Sequence, residues 1–360
     1  MNSAMRRSPL VWSLLVILIT GLATSCNKEE KTLSNREIYL YQGPDRDQKL
    51  IANAKKEGAV TIYTSMSLKD SEPITDFFQQ KYNIKVTLWR ALPDKVAQRA
   101  LIEAKADRYD VDVLEISGPE MEMLYREKLL EEFYSPAFKD IPPEAIPAHK
   151  HYIVDRLNFL VLAYNTKLVK PNEVPKSYED LLNRKWFGKL GIESTDSDWF
   201  AAIVKNMGEE KGLNYFKKLA AMRPRMQKGQ TQIAEIVGSG ELPVALNVYN
   251  HNVEKLKKQE VAIEWKALQP TFGQAGAIGI ARNAAHPHAA LLFADFILSR
   301  EGQEILKERG RVPVSLAVDT PLNKFQYQVI DPAIVLDESD KWGKLWSELF
   351  LGGKMVQKGE

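Results

Sequence analysis

The sequence predicts an α/β protein of two lobes, each built on a mixed, mostly parallel sheet flanked by helices. Three observations carry that prediction. Short β-branched strands alternate with amphipathic helical patterns along most of the chain, as wrapped parallel sheets require. A proline-rich stretch followed by a long apolar strand breaks the alternation once. The 360 residues, less an exported leader, suffice for about two domains with adequate cores.

The chain opens on Arg6 and Arg7, an apolar run from Leu10 to Ala23, then Thr24, Ser25 and Cys26. That is the layout of a secretory signal, expected over 1–25. A membrane-spanning helix needs about 20 apolar residues, and Thr20 and Gly21 interrupt this run first, so cleavage is expected over permanent insertion. Small residues before a cysteine resemble the bacterial lipobox, in which that cysteine becomes the lipidated first residue of the mature protein. Cys26 is therefore the expected lipidation site, tying the protein to a membrane. It is also the only cysteine, so no disulfide staples the exported body. Residues 26–46 are polar and charged and read as a tether.

The first part of lobe 1 is expected over 47–158. Leu50 to Glu57 has helical spacing, and "AVTIYTSMS" follows as a strand, Val60 to Tyr63, running into a hydroxyl-rich turn. Ser71 with Pro73 reads as a helix start, with Ile74, Phe77, Phe78 and Tyr82 as the buried stripe. Then come the strand "IKVTLWR", a helix over Lys95–Asp107, the strand "VDVLEIS" and a helix over Glu120–Lys128. Pro142, Pro143 and Pro147 end this run, and "RLNFLVLAYNTKLV" reads as a strand too apolar to be an edge. It leads into lobe 2, expected over 159–267. There the strand "KLGIES" and the turn "TDSD" precede a helix with the stripe Phe200, Ile203, Val204 and Met207; a further helix, a glycine turn, the strand "PVALNVY" and another helix follow. "GAIGIARNA" is the return strand of 268–318, before helices over Ala289–Leu298 and Glu301–Arg309. In the final stretch, 319–360, Trp342, Leu345, Trp346, Leu349 and Phe350 keep helical period after Ser339, a stripe expected to pack back onto the body.

Charge narrows the partner. Lys plus Arg number 49 against 47 Asp plus Glu, a net +2 that includes the leader, so there is no nucleic-acid footprint. A small ligand is the expected partner. No Gly-x-Ser-x-Gly elbow, His-Glu-x-x-His helix or Gly-x-x-x-x-Gly-Lys loop occurs, which argues against the common motif-bearing enzymes.

Several strings together resemble one family, the type II extracellular solute-binding proteins of bacterial ABC importers, in the branch that includes ferric-iron binders. They are "AKKEGAVTIYTS", "DVDVLEISG", "LAYNTKLV" with "PKSYEDLLNRKWFGKLGI", "GELPVALNVYNH" and "ARNAAHPHAALLFADFILSREGQEIL", covering roughly Ala54 to Leu316 in the family's order. The resemblance implies the type II periplasmic-binding fold: two α/β lobes that close on a small molecule or ion, then dock on an ABC permease of the inner membrane, without catalysis and without a cofactor. It implies a monomer, in the periplasm or on the outer face of the cytoplasmic membrane. The alternatives kept open are a ferric-iron-type receptor and, in another class, an exported hydrolase or a solute sensor on the same body.

Ligands of open α/β sheets lie at the carboxyl ends of strands. Thr64, Ser65 and Ser67 end the first strand and precede a helix, where hydroxyls and free amides either hold a polar or anionic group or merely cap. Ser117 and Gly118 sit equivalently, the glycine permitting close backbone approach. In lobe 2, Thr195 and Asp196 open a helix, Asp198 reads as its cap, and Trp199 either stacks on a ligand or belongs to the core. Arg90 at a strand end and Arg156 in the crossing region can each pair a carboxylate or phosphate. "ALNVYNHN" is the sharpest site, because ferric binders carry two adjacent tyrosines there, whereas this chain has Tyr249, Asn250 and His251. Those residues suit a polar organic solute or an oxyanion better than Fe(III). A divalent site of His251 with Asp196 or Glu115 is the minority reading, and no metal is expected. "KGQTQ", Lys228 to Gln232, adds amides and hydroxyls; His149, His151, His286 and His288 read as solvated or capping residues.

Overall fold

The computed structural model describes residues 33–353, so the signal over 1–25 and Cys26 lie outside the described residues. The packed body starts earlier than the tether reading allows. Ser34 and Glu37 form a reciprocal capping box on α1 (Asn35–Tyr39), and Tyr39 is fully buried with its hydroxyl donating to the Ala281 carbonyl. The expected tether over 26–46 is corrected from Ser34 onward: one aromatic anchor outweighs a polar local sequence. Helix α2 (Arg46–Glu57) follows, its buried Arg46 paired with Asp295.

The first half then alternates as β1 (Ala59–Thr64), α3 (Leu68–Tyr82), β2 (Lys85–Arg90), α4 (Pro93–Lys105), β3 (Val113–Ser117) and α5 (Gly118–Arg126). Helix α3 starts at Leu68 rather than Ser71, because the Ser67 carbonyl already accepts from the amides of Asp70 and Ser71; Pro73 is an interior residue. After β4 (Leu130–Glu131), the strand β5 (Tyr152–Asn165) begins four residues before the expected start. It stops at Asn165, whose side chain accepts from the amides of Lys167 and Leu168 and turns the chain away.

The second half runs β6 (Leu190–Glu193), α6 (Ser197–Met207), α7 (Glu209–Ala221), β7 (Arg225–Gln227), α8 (Gln230–Ser239), β8 (Val244–Tyr249), α9 (Asn250–Lys257) and β9 (Ile263–Lys266). The chain returns through β10 (Phe272–Ala281), α10 (Pro287–Leu298), α11 (Arg300–Glu308), β11 (Val312–Pro313) and β12 (Gln328–Val329) to α12 (Pro332–Phe350). Asp331 caps α12 and Pro332 opens it, so the helix begins seven residues before the expected Ser339.

The main strands join in the order β2-β1-β3-β10-β5-β8-β6-β7. β1 is parallel to β2 and β3, and β6 to β7 and β8. Within this order β10 and β5 are antiparallel to their neighbours, β12 alone lying parallel to β10, and they carry the chain between halves: β5 pairs with β10 through Tyr152 to Leu160 and with β8 through Leu160 to Tyr164. The boundary expected at 158/159 therefore falls inside a single strand. Each half has its own apolar core, Ile62, Phe78, Ile278 and Phe293 in the first, Trp199, Phe200, Phe216 and Leu246 in the second. Helix α12 joins the second core, its Trp342 and Trp346 both packing on Phe200. Among the described residues no helix is long and apolar enough to cross a membrane.

Candidate functional site

The carboxyl ends of β3, β6, β7 and β8 all reach one cavity of about 360 Å³ between the halves. From the first half it takes Ser117 and Glu120; from the second, Glu193, Thr195, Asp196, Asp198, Gln230 and Tyr249; from the crossing strands, Asn158 and Gln274. Such convergence of polar groups on a concavity between two bodies is what a small-solute site needs. A larger cavity of about 510 Å³ lies between α6 and α12, mostly apolar, and takes nothing from the strand ends of the first half.

Hydrogen bonds fix the second-half wall. Buried Glu193 accepts from the Gly229 amide at 2.9 Å and from the amide and hydroxyl of Thr195 at 2.7 and 2.8 Å. Asn247, at φ 46°, clamps the ends of β6 and β8, accepting from the Glu193 amide at 2.9 Å and donating to Asp196 at 3.0 Å. Gln230 donates to Asp196 at 2.7 Å and to the Asn247 carbonyl at 3.0 Å while accepting from the Tyr249 amide at 3.0 Å. The Tyr249 hydroxyl donates to Gln274, and Gln274 donates to Asp198 at 2.7 Å. The chain of bonds thus ends on Asp198, where Oδ1 is buried and accepts no hydrogen bond among the described residues. Oδ1 of Asn158, the cross-strand neighbour of Gln274, is in the same condition.

Electrostatics follow from this packing. Burial raises the Glu193 pKa, and the Asp198 charge adds to it although the amide donors pull it back. Burial and the nearby charges of Asp196, Asp198 and Glu193 push the Tyr249 phenol well above its ordinary value, so the ring stays neutral. Among the described residues no group of three or more His, Cys, Asp or Glu is arranged to hold a metal.

Beside the cavity, an ion network ties the halves together. Asp70 of α3 accepts from Arg311 at 2.5 and 3.0 Å, from Ser67 at 2.7 Å and from Lys255 of α9 at 3.4 Å. Arg311 also reaches Nε2 of His251 at 2.9 Å. Burial, then the charges of Arg311, Lys255 and Arg156, depress the His251 pKa well below its ordinary value, which leaves Nε2 an acceptor. Arg156 lies between Glu115 and Asp155, and Thr64 donates to Glu115.

Of the residues singled out in the sequence, Ser117, Thr195, Asp196 and Tyr249 line the cavity, as do Asp198, read as a cap, and Lys228, Gly229 and Gln230 of "KGQTQ". The others do not. Thr64 is buried and bonded to Glu115 and to the Met66 amide; the Ser65 amide donates to the Glu115 carbonyl; Ser67 is taken up by Asp70. Gly118 does allow close approach, but of the chain's own Pro332, whose Cγ would lie 2.7 Å from an added Cβ. Trp199 is core, 1% exposed against Phe216 and Trp346. Asn250 donates to the Leu322 carbonyl at 3.0 Å, His251 serves the ion network, and Arg90 is exposed at the end of β2. His251 does not meet Asp196 in a metal group, and His286 and His288 are held by Asp112 and Glu57 at the start of α10.

Asn158 and Gln274 line the cavity without having been expected from the sequence. Gln274 is the single polar side chain of "FGQAGAIGI", and Asn158 is followed by the apolar run "FLVLA" after Asp155 and Arg156; those interruptions are the available signal.

A family profile described as bacterial extracellular solute-binding protein matches residues 112–336. The Fe(3+)-binding periplasmic protein of Serratia marcescens is 23% identical over 283 residues, 75% of this chain and 82% of that one. Among solved structures, iron-bound HitA from Pseudomonas aeruginosa superposes with a TM-score of 0.70 at 23% identity, covering 81% of this chain and 99% of that one. The periplasmic binding protein AfuA from Actinobacillus pleuropneumoniae, solved with fructose-6-phosphate bound, gives 0.68 at 24% identity, covering 82% and 99%. The shared architecture is the type II periplasmic-binding fold, two α/β lobes joined by crossing strands.

Proposed function

Because the chain belongs to the bacterial extracellular solute-binding protein family, a family of binding proteins and not of enzymes, we propose that it captures a small polar solute between its two halves and presents it to an ABC permease. The observation that carries this reading is the cavity itself, walled by strand ends of both halves and floored by the strands that connect them. A solute touching both walls stabilises the closed arrangement through contacts that an open one lacks. Ser117, Thr195, Asp196 and Tyr249, with Asn158, Gln274 and Asp198, are the proposed contacts. The protein works as a monomer, held at the membrane by lipid on Cys26, which keeps it near its transporter.

The test is a thermal-shift screen of the mature protein with X-ray scattering on each hit. A ligand raises the melting temperature by several degrees and shrinks the radius of gyration. Substrate turnover without contraction would overturn the receptor reading. The ferric alternative predicts a coloured tyrosinate complex, which a single tyrosine here, Tyr249 followed by Asn250, does not favour. For the anchor, Cys26→Ala should release the protein from the membrane fraction.

A further inference from the structure

We infer that the solute carries a cationic group with N–H donors, such as a protonated amine or amidinium, held by Asp198 Oδ1 and Asn158 Oδ1. This rests on the receptor reading above and deepens it.

Five carboxylates line the cavity, those of Asp94, Glu120, Glu193, Asp196 and Asp198, against the single ammonium of Lys228. The bland explanation is that acids favour helix N-termini, and Asp198 does stand in the first turn of α6. It covers much of the set. Glu193 and Asp196 are engaged by amide and hydroxyl donors of the wall, and Glu120 accepts from Ser117. It does not cover Asp198, 8% exposed, whose Oδ2 is taken by Gln274 and whose Oδ1 receives no donor among the described residues. Buried acceptors normally find donors. Asn158 Oδ1 repeats the pattern beside the same Gln274, since Asn158 and Gln274 are cross-strand partners on β5 and β10. Two acceptors without donors, one anionic, on residues that both line a cavity rich in carboxylates, match a group that brings positive charge and several N–H bonds. The half-buried Tyr249, stacked on His251, lines the same cavity. A metal ion fits less well: it needs several uncommitted oxygens, and those of Glu193 and Asp196 are committed. An anionic solute, allowed by the sequence, meets five carboxylates against one ammonium, which disfavours it.

The experiment titrates the full mature protein with 1,4-diaminobutane and agmatine, and in parallel with citrate, fructose 6-phosphate and ferric nitrilotriacetate, reading melting temperature, calorimetric affinity and scattering radius. The expected result is a rise in melting temperature and a contraction with an amine probe. Asp198→Asn keeps the Gln274 contact and the side-chain shape, and should weaken amine binding at least tenfold without lowering the unliganded melting temperature. Asn158→Ala, at a half-buried position, should weaken it several-fold and serves if the first variant does not fold. Contraction with an anion or the ferric complex, equal in Asp198→Asn and wild type, overturns the amine assignment and leaves the receptor reading standing. If no probe of either class changes melting temperature or radius, both fall.

Discussion

His251 shows how a single residue is reassigned by its surroundings. Its position after β8 makes it a candidate ligand, yet it is 2% exposed and faces Arg311. Because its folded pKa lies well below 6.5, the unfolded chain takes up a proton below that pH which the folded chain does not. The stability this group contributes is therefore complete above about pH 6.5 and declines as pH falls, by up to about 1.4 kcal/mol per unit. His251→Gln should flatten that decline: from pH 7.5 to 5.5 in urea melts, wild type should lose about 1 kcal/mol more than the variant, and parallel profiles would contradict the assignment. Gly118 is a second case. Its missing Cβ makes room for Pro332 at 2.7 Å, so Gly118→Ala should cost about 1–3 kcal/mol of stability by overpacking, read as a lower urea midpoint.

Among the elements, α12 has the clearest consequence. Its stripe places Trp346, 2% exposed, in the second core, and the indole N–H donates at 2.8 Å to the carbonyl of Ser194, one residue before the site loop opens. Trp346→Ala should lose about 3–5 kcal/mol through the cavity it leaves. Trp346→Phe should lose about 1 kcal/mol, the share of the hydrogen bond, while ligand affinity drops more than stability because the turn at Thr195–Asp196 and the start of α6 loosen. Equal affinity in wild type and Trp346→Phe would detach α12 from the site. The amphipathic period of this helix is plain in the sequence, but its start is not: Asp331 and Pro332 lie eight and seven residues upstream of Ser339, and both residues make a better beginning than the serine. Element type was thus readable from periodicity, whereas ends depended on which competing cap the tertiary packing used.

Across the whole molecule, the Asp70–Arg311–Lys255–His251 network and the cavity lie side by side between the halves. Burial alone would raise the Asp70 pKa, but Arg311, Ser67 and Lys255 outweigh it and hold the carboxyl below its ordinary value, so the network is intact near neutrality. Asp70→Asn leaves two cations without their counter-charge and weakens the closed arrangement. The expected outcome is a larger scattering radius for the unliganded protein and about tenfold weaker ligand binding, with the cavity residues untouched. An unchanged radius together with unchanged affinity would show that the network holds α3 alone.

Local chemistry by itself determined the fold class, because strand and helix periods are properties of neighbouring residues, and it pointed to several of the cavity residues, because strand ends are where α/β sheets expose polar groups. Burial of Tyr39, the clamp of Asn247 on two strand ends, and the meeting of Asn158, Gln274 and Asp198 were decided only by the tertiary structure. Those residues are 40 to 116 positions apart along the chain in the last case, and no local period encodes which side chain from a distant strand completes a site or which one is left with an oxygen still unbonded.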